Sequence, residues 1–89
     1  MPRKLKVEVT APQGGVDECV VWVNHTLVGD SALALTWEGK IPSARTPLTI
    51  ETTGQAGAWY HVSITIDGQR SVAIDRTLDG GADEFHDSV

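Results

Sequence analysis

Cysteine is almost missing from this sequence. Cys19 stands alone among 89 residues, so no internal disulfide can brace the fold, and the thiolate sets of zinc fingers and ribbons are excluded. Basic residues are also scarce, with seven Lys and Arg against twelve Asp and Glu and a net charge of -5. An acidic chain repels a phosphate backbone, so nucleic acid is not an expected partner. No apolar run approaches the roughly 18–20 residues that cross a bilayer, so no membrane span is expected. Met1-Pro2-Arg3-Lys4 supplies the charged flank of a signal peptide, but Leu5-Lys6-Val7-Glu8-Val9 alternates behind it where an apolar run would be needed. The expected setting is therefore cytoplasmic. Neither a Walker pattern nor a dinucleotide fingerprint occurs. Helical runs are lacking too, because Gly and Pro punctuate the chain at 12–15, 29, 39–42, 47, 54–57 and 68.

What the chain does hold is strand composition. Val, Ile and Thr make up 24 of the 89 residues. Period-two alternation places Leu5, Val7 and Val9 on one face of 4–10, and Leu33, Leu35 and Trp37 on one face of 32–38. It likewise aligns Leu48 and Ile50 in 47–52, Tyr60, Val62, Ile64 and Ile66 in 59–66, and Val72 and Ile74 in 70–76. The stretch 18–28 is apolar on both parities through Cys19-Val20-Val21-Trp22-Val23. It reads as one long strand bent near Asn24, in preference to a hairpin turning at Asn24-His25, because His lacks glycine's freedom to take positive φ. Trp22 and Trp37 are expected in the core.

Ile66-Asp67-Gly68-Gln69 signals a hairpin. A three-residue loop of Ile66, Asp67 and a left-handed Gly68 would pair Val62 with Val72 and Tyr60 with Ile74. That odd count keeps both apolar sets on one face, since a one-residue slip reverses every side chain. The expected fold is all-β: a small antiparallel β-sandwich, immunoglobulin-like, or a partly open barrel, of six to seven short strands. The architecture resembles immunoglobulin-like sandwiches in general, without their Cys…Trp…Cys hallmark. Residues 1–78 are expected to form the single domain, and 79–89 an acidic, flexible tail with Phe85 its only large apolar group.

Candidate chemistry is thin. Asp17 and Glu18 are neighbours on a strand and point opposite ways, and Asp75 and Asp79 straddle a strand end, so these carboxylates read as solvated charges. His25, His61 and His86 are 36 and 25 residues apart, which matches no metal-ligand spacing, and no metal or cofactor is expected. Cys19, set in an apolar strand, reads as a small buried hydrophobe, not a nucleophile. Asn24-His25-Thr26 matches the N-glycosylation pattern by coincidence in a chain without a secretory signal.

Three tryptophans are many for this length, and Trp anchors binding surfaces. Trp59 shares the parity of His61 and Ser63, opposite Tyr60, Val62 and Ile64. Either the loop 54–58 folds it over the sheet end, or Trp59, His61 and Ser63 contact a ligand or partner. No catalytic set is present, so the chain is not expected to be an enzyme. The expectation is a non-catalytic protein-interaction or structural assembly module, joining a protein partner or a second copy through strand edges. The alternative is a carbohydrate- or small-ligand-binding module using exposed aromatics.

Overall fold

A computed structural model describes residues 2–32 and 34–89. Eight strands follow one another: β1 (Arg3–Thr10), β2 (Val16–Val23), β3 (Thr26–Ser31), β4 (Leu35–Ile41), β5 (Pro47–Gly54), β6 (Trp59–Ile66), β7 (Gln69–Thr77) and β8 (Ala82–Ser88). They form two four-stranded antiparallel sheets, ordered β4-β1-β6-β7 (sheet A) and β3-β2-β5-β8 (sheet B). The all-β sandwich is thus what the alternation implied. Among the described residues no helix is long and apolar enough to cross a membrane.

Alternation decides what lies between the sheets. Leu5, Val7 and Val9 of β1 and Tyr60, Val62 and Ile64 of β6 face Cys19, Val21 and Val23 of β2 and Leu48 and Ile50 of β5, all buried. Trp37 also takes the core side of its strand, where its indole lies over the bare backbone of Gly39. Leu33, assigned to that face from the pattern, lies outside the described residues.

Six expectations are corrected. The stretch 18–28 is a hairpin, not a bent strand: β2 ends at Val23, β3 begins at Thr26, and Asn24 and His25 both take positive φ, 51° and 64°. That is the type I′ geometry that suits the twist of flanking strands, and tertiary pairing on β5 and β3 overrides the cost of a left-handed His. The β6–β7 turn is the two-residue Asp67-Gly68, with Ile66 directly opposite Gln69. The expected pairs Val62–Val72 and Tyr60–Ile74 are displaced, to Ile64 opposite Val72 and Val62 opposite Ile74, but both apolar sets keep one face because the odd residue is Ser71, bulged where the register shifts.

The segment 79–89 is not a free tail. It forms β8, paired along β5 from Pro47↔Ser88 to Thr53↔Ala82, with Phe85 and Val89 buried. Asp83 and Asp87 share the inward parity of Phe85, and Asp83 is met there by Tyr60 and Arg76, so the inward face of an acidic strand can still join the core. Trp22 faces away from the core, because Cys19, Val21 and Val23 take the inward parity. Finally, the strand order differs from the immunoglobulin arrangement, in which the third strand crosses to pair with the sixth. Here β3 stays hairpinned to β2, and β1 occupies the place beside β6. The split of 18–28 and the addition of β8 raise the strand count from six or seven to eight.

The register assigns each loop to an end. The turns 24–25 and 67–68, the connection 42–46 and the Arg3 end of β1 gather at one end, where Arg3 Nη2 donates to Val89 O at 3.0 Å. Loops 11–15, 55–58 and 78–81 meet at the other, tied by backbone bonds from Gln55 N to Gly15 O (2.8 Å), Gly57 N to Leu78 O (2.9 Å) and Leu78 N to Ala58 O (2.8 Å).

Candidate functional site

Trp59, His61 and Ser63 do share the outer face of sheet A, as their parity required. His61 pairs across the ladder with Asp75, and the two side chains meet at 2.8 Å between Nδ1 and Oδ1. A His–Asp pair beside a serine invites a triad reading, but Ser63 lies two residues further along the same strand and no hydrogen bond joins it to His61. Asp75 is 68% exposed, so the pair sits in water and no walled cleft surrounds it. Trp59 diverges from the other two. It is half-buried and turns toward the loop end, where it lines a depression with Gln13, Gly14, Gly15, Gln55, Ala56, Gly57 and Ala58.

The other candidate groups are dispersed. His25 lies exposed in its turn, and His86 lies on β8 with Nδ1 3.2 Å from Thr49 Oγ1. Among the described residues no three His, Cys, Asp or Glu side chains come together as a metal site. Cys19 is fully buried opposite Thr52, and burial pushes its thiol up to about 11, away from the range in which a thiolate attacks. Within the core, Tyr60 reaches Asp83, which Arg76 holds from the neighbouring edge strand. This group is committed to joining the sheets.

A second surface was not foreseen. On the outer face of sheet B, Trp22 sits opposite Leu27 on β3 and Thr49 on β5, and Val20 follows on the same parity. Leu27 is 49% exposed, the one large apolar side chain so open among the described residues. Glu18, Asp30, Glu51 and Glu84 lie on that face around the apolar strip. Lys4, Lys6, Lys40 and Arg70 are all on the outer face of sheet A, Arg3 and Arg45 bind carbonyls at the Val89 end, and Arg76 fills the β7–β8 seam. Among the described residues the outer face of sheet B therefore has no lysine or arginine.

Two details sharpen this. Glu51 and Glu84 are directly opposite each other on adjacent strands, a like-charge pairing that costs stability, and the Glu84 carboxylate lies 3.8 Å from the His86 ring at Nε2. The Trp22 indole N–H is covered and has no hydrogen-bond partner. The signal for this face was present in the sequence as the parity shared by Glu18, Val20 and Trp22. It became readable only once β2 ended at Val23 and β8 was known to bring Glu84 beside Glu51.

No protein-family model matches the chain, and no curated protein is significantly similar to it.

Proposed function

We propose that the protein is a non-catalytic interaction module that docks a basic protein partner on the outer face of sheet B. The observation that carries this reading is the four-acid surface around Trp22 and Leu27, without Lys or Arg among the described residues. An apolar centre with an acidic rim is the arrangement in which a desolvated anchor supplies affinity while charge steers the encounter and selects the partner. The Glu51–Glu84 repulsion is carried by the free chain and relieved when a Lys or Arg lies between them. The same charges oppose a dimer that puts two copies of this face together, so a second copy of the chain is the less favoured occupant. Strand β3 lies at the sheet edge beside Leu27, so an extended basic segment can add to the edge and place alternate side chains over Leu27 and Trp22.

The test is a display screen of extended peptides of mixed charge against the immobilised chain, with each binder mapped by amide shifts. Basic peptides that perturb β2, β3 and β5, weaken as salt rises and lose at least about tenfold in affinity on Leu27→Ser or Glu51→Lys support the reading. Binders that map to sheet A, or that ignore both substitutions, overturn it. Light scattering after size exclusion gives the accompanying check, since a stable dimer that survives Glu51→Lys would place self-association elsewhere.

A further inference from the structure

We propose that the depression between loops 11–15 and 55–58, walled by Trp59, binds a neutral pyranose sugar. This site is at the loop end of the sandwich, separate from the docking face, and does not depend on it.

The lining is unusual in its chemistry. The hollow is about 450 Å³ and its lining residues are Gln13, Gly14, Gly15, Gln55, Ala56, Gly57, Ala58 and Trp59. None of these is ionisable, although 21% of the chain is charged. A phosphate or carboxylate ligand would find no cation there, and a cation would find no carboxylate. The polar groups that remain are two carboxamides and exposed peptide groups, which suit a ligand that both donates and accepts without charge.

Gln13 and Gln55 are exposed, and neither side chain makes a hydrogen bond within the described residues. Each carboxamide offers an N–H donor beside a carbonyl acceptor, the pattern that matches two adjacent hydroxyls of a sugar ring. Trp59 supplies a flat indole on the rim. The electron-rich face of such a ring attracts the C–H bonds on one side of a pyranose, which carry partial positive charge.

The floor lets a ligand come close. At Gly14 and Gly57 an added Cβ would have no atom within 4 Å, and both take positive φ, 73° and 85°. The backbone there is bare, so a ring can approach the peptide plane without meeting a side chain. Loop 11–15 is anchored on loop 55–58 by Gln55 N to Gly15 O at 2.8 Å, and Gly57 N reaches Leu78 O at 2.9 Å. With the loops already tied, binding carries little ordering cost.

The experiment is a titration of the ¹⁵N-labelled chain, followed by amide and indole resonances. The probes are methyl glucopyranoside, methyl mannopyranoside, methyl galactopyranoside, N-acetylglucosamine and the cello-, malto-, manno- and chito-hexasaccharides. Saturable shifts are expected in the Trp59 indole N–H and the Gln13 and Gln55 carboxamides for at least one of these. Trp59→Ala should abolish them, Trp59→Phe should keep them in part, and Gln13→Ala with Gln55→Ala should weaken binding at least about tenfold. Amide dispersion of each variant verifies the fold, and Leu27→Ser should leave the sugar response unchanged. Absence of saturable shifts from all the named sugars at about 50 mM, a concentration above the weakest useful affinities, overturns the proposal. So do shifts that persist in Trp59→Ala.

Discussion

Arg76 of β7 and Asp83 of β8 join the two sheets across their shared edge with a two-pronged ion pair, Nε to Oδ2 at 2.8 Å and Nη2 to Oδ1 at 3.0 Å. The Tyr60 hydroxyl donates to Oδ2 at 2.5 Å, and the guanidinium lies 5.5 Å from the centre of the Phe85 ring. Asp83, 14% exposed, thus has its charge met from three directions, and the Arg76 hydrogen bonds hold its carboxyl below the usual range. A lowered folded pKa stabilises the fold above the unfolded value, near 4, and this contribution is lost as pH falls through the folded one. Asp83→Asn should therefore cost about 2–3 kcal/mol at pH 7 by leaving Arg76 uncompensated, and the deficit should shrink in strong acid. Urea unfolding of both chains at neutral and acid pH measures it. An equal deficit at both would assign the loss to packing.

Tyr60 gives the alkaline counterpart. Burial first, and then the hydrogen bond to Asp83, push its phenol up to about 12, while the unfolded chain titrates near 10. A raised folded pKa contributes stability that is complete below the unfolded value and is lost as pH rises toward the folded one. The native chain should lose stability between about pH 10 and 12, and Tyr60→Phe should remove that dependence. At neutral pH the same change costs about 1 kcal/mol for the lost hydrogen bond. Thermal melts of both chains across the alkaline range provide the comparison.

The sandwich was legible because strand parity is a local signal, unbroken in β1, β5 and β6 and in β7 beyond its bulge at Ser71. Even the wrong β6–β7 loop kept the right face, since the core demanded an odd residue and could take it as a bulge at Ser71 as well as in the turn. The hairpin at Asn24-His25 was missed because its cost is local while its return, the ladder of β2 on both β3 and β5, is long-range. For β8, composition misled: five of seven residues are polar, and only its pairing with β5 carries Phe85 into the core. Trp59, His61 and Ser63 fell on one face as parity required, yet the grouping of Trp59 with Gln13 and Gln55 depends on which loops share an end, which no single strand pattern reports.

His25 occupies a left-handed position, φ 64°, that glycine fills without steric cost. Asn-Gly is the preferred pair for this turn, and the His25 side chain is exposed. His25→Gly should therefore stabilise the protein by about 0.5–1 kcal/mol, net of the greater freedom glycine has when unfolded. For a domain of this size that corresponds to a rise in Tm of roughly 2–8 °C, read by calorimetry. A fall in Tm would mean that the His25 ring makes a stabilising contact.

Cys19 has no access to solvent, and burial pushes its thiol up to about 11. Both factors suppress the thiolate, which is the form that reacts. In native buffer at pH 8 the protein should resist a thiol-directed reagent and react fully in denaturant. The slow native labelling should accelerate in Asp83→Asn by the same free energy that the urea experiment assigns to that variant, because labelling then reports opening of the sandwich. Rapid labelling of the native chain would place a local opening at β2.

Gly54 ends β5 where loop 11–15 crosses it, and its φ is ordinary, so the constraint there is space. An added Cβ would fall 2.1 Å from the Gly15 carbonyl oxygen and 2.9 Å from Val16 Cα, both backbone atoms that cannot swing aside. The Gly54 N–H also donates to Gly81 O at 2.9 Å, so a shift of this residue pulls on loop 78–81 as well. Gly54→Ala should cost about 2–4 kcal/mol, with faster amide exchange at Gln55 and Gly57. Gly57→Asn is the control: its φ of 85° is a region Asn tolerates, and the space above it is open, so the cost should stay near 1 kcal/mol. Denaturant unfolding of the two variants side by side decides the matter. A Gly54→Ala cost no larger than that of Gly57→Asn would show that the loops give way easily, and the sugar site would then lose the rigidity on which its low ordering cost rests.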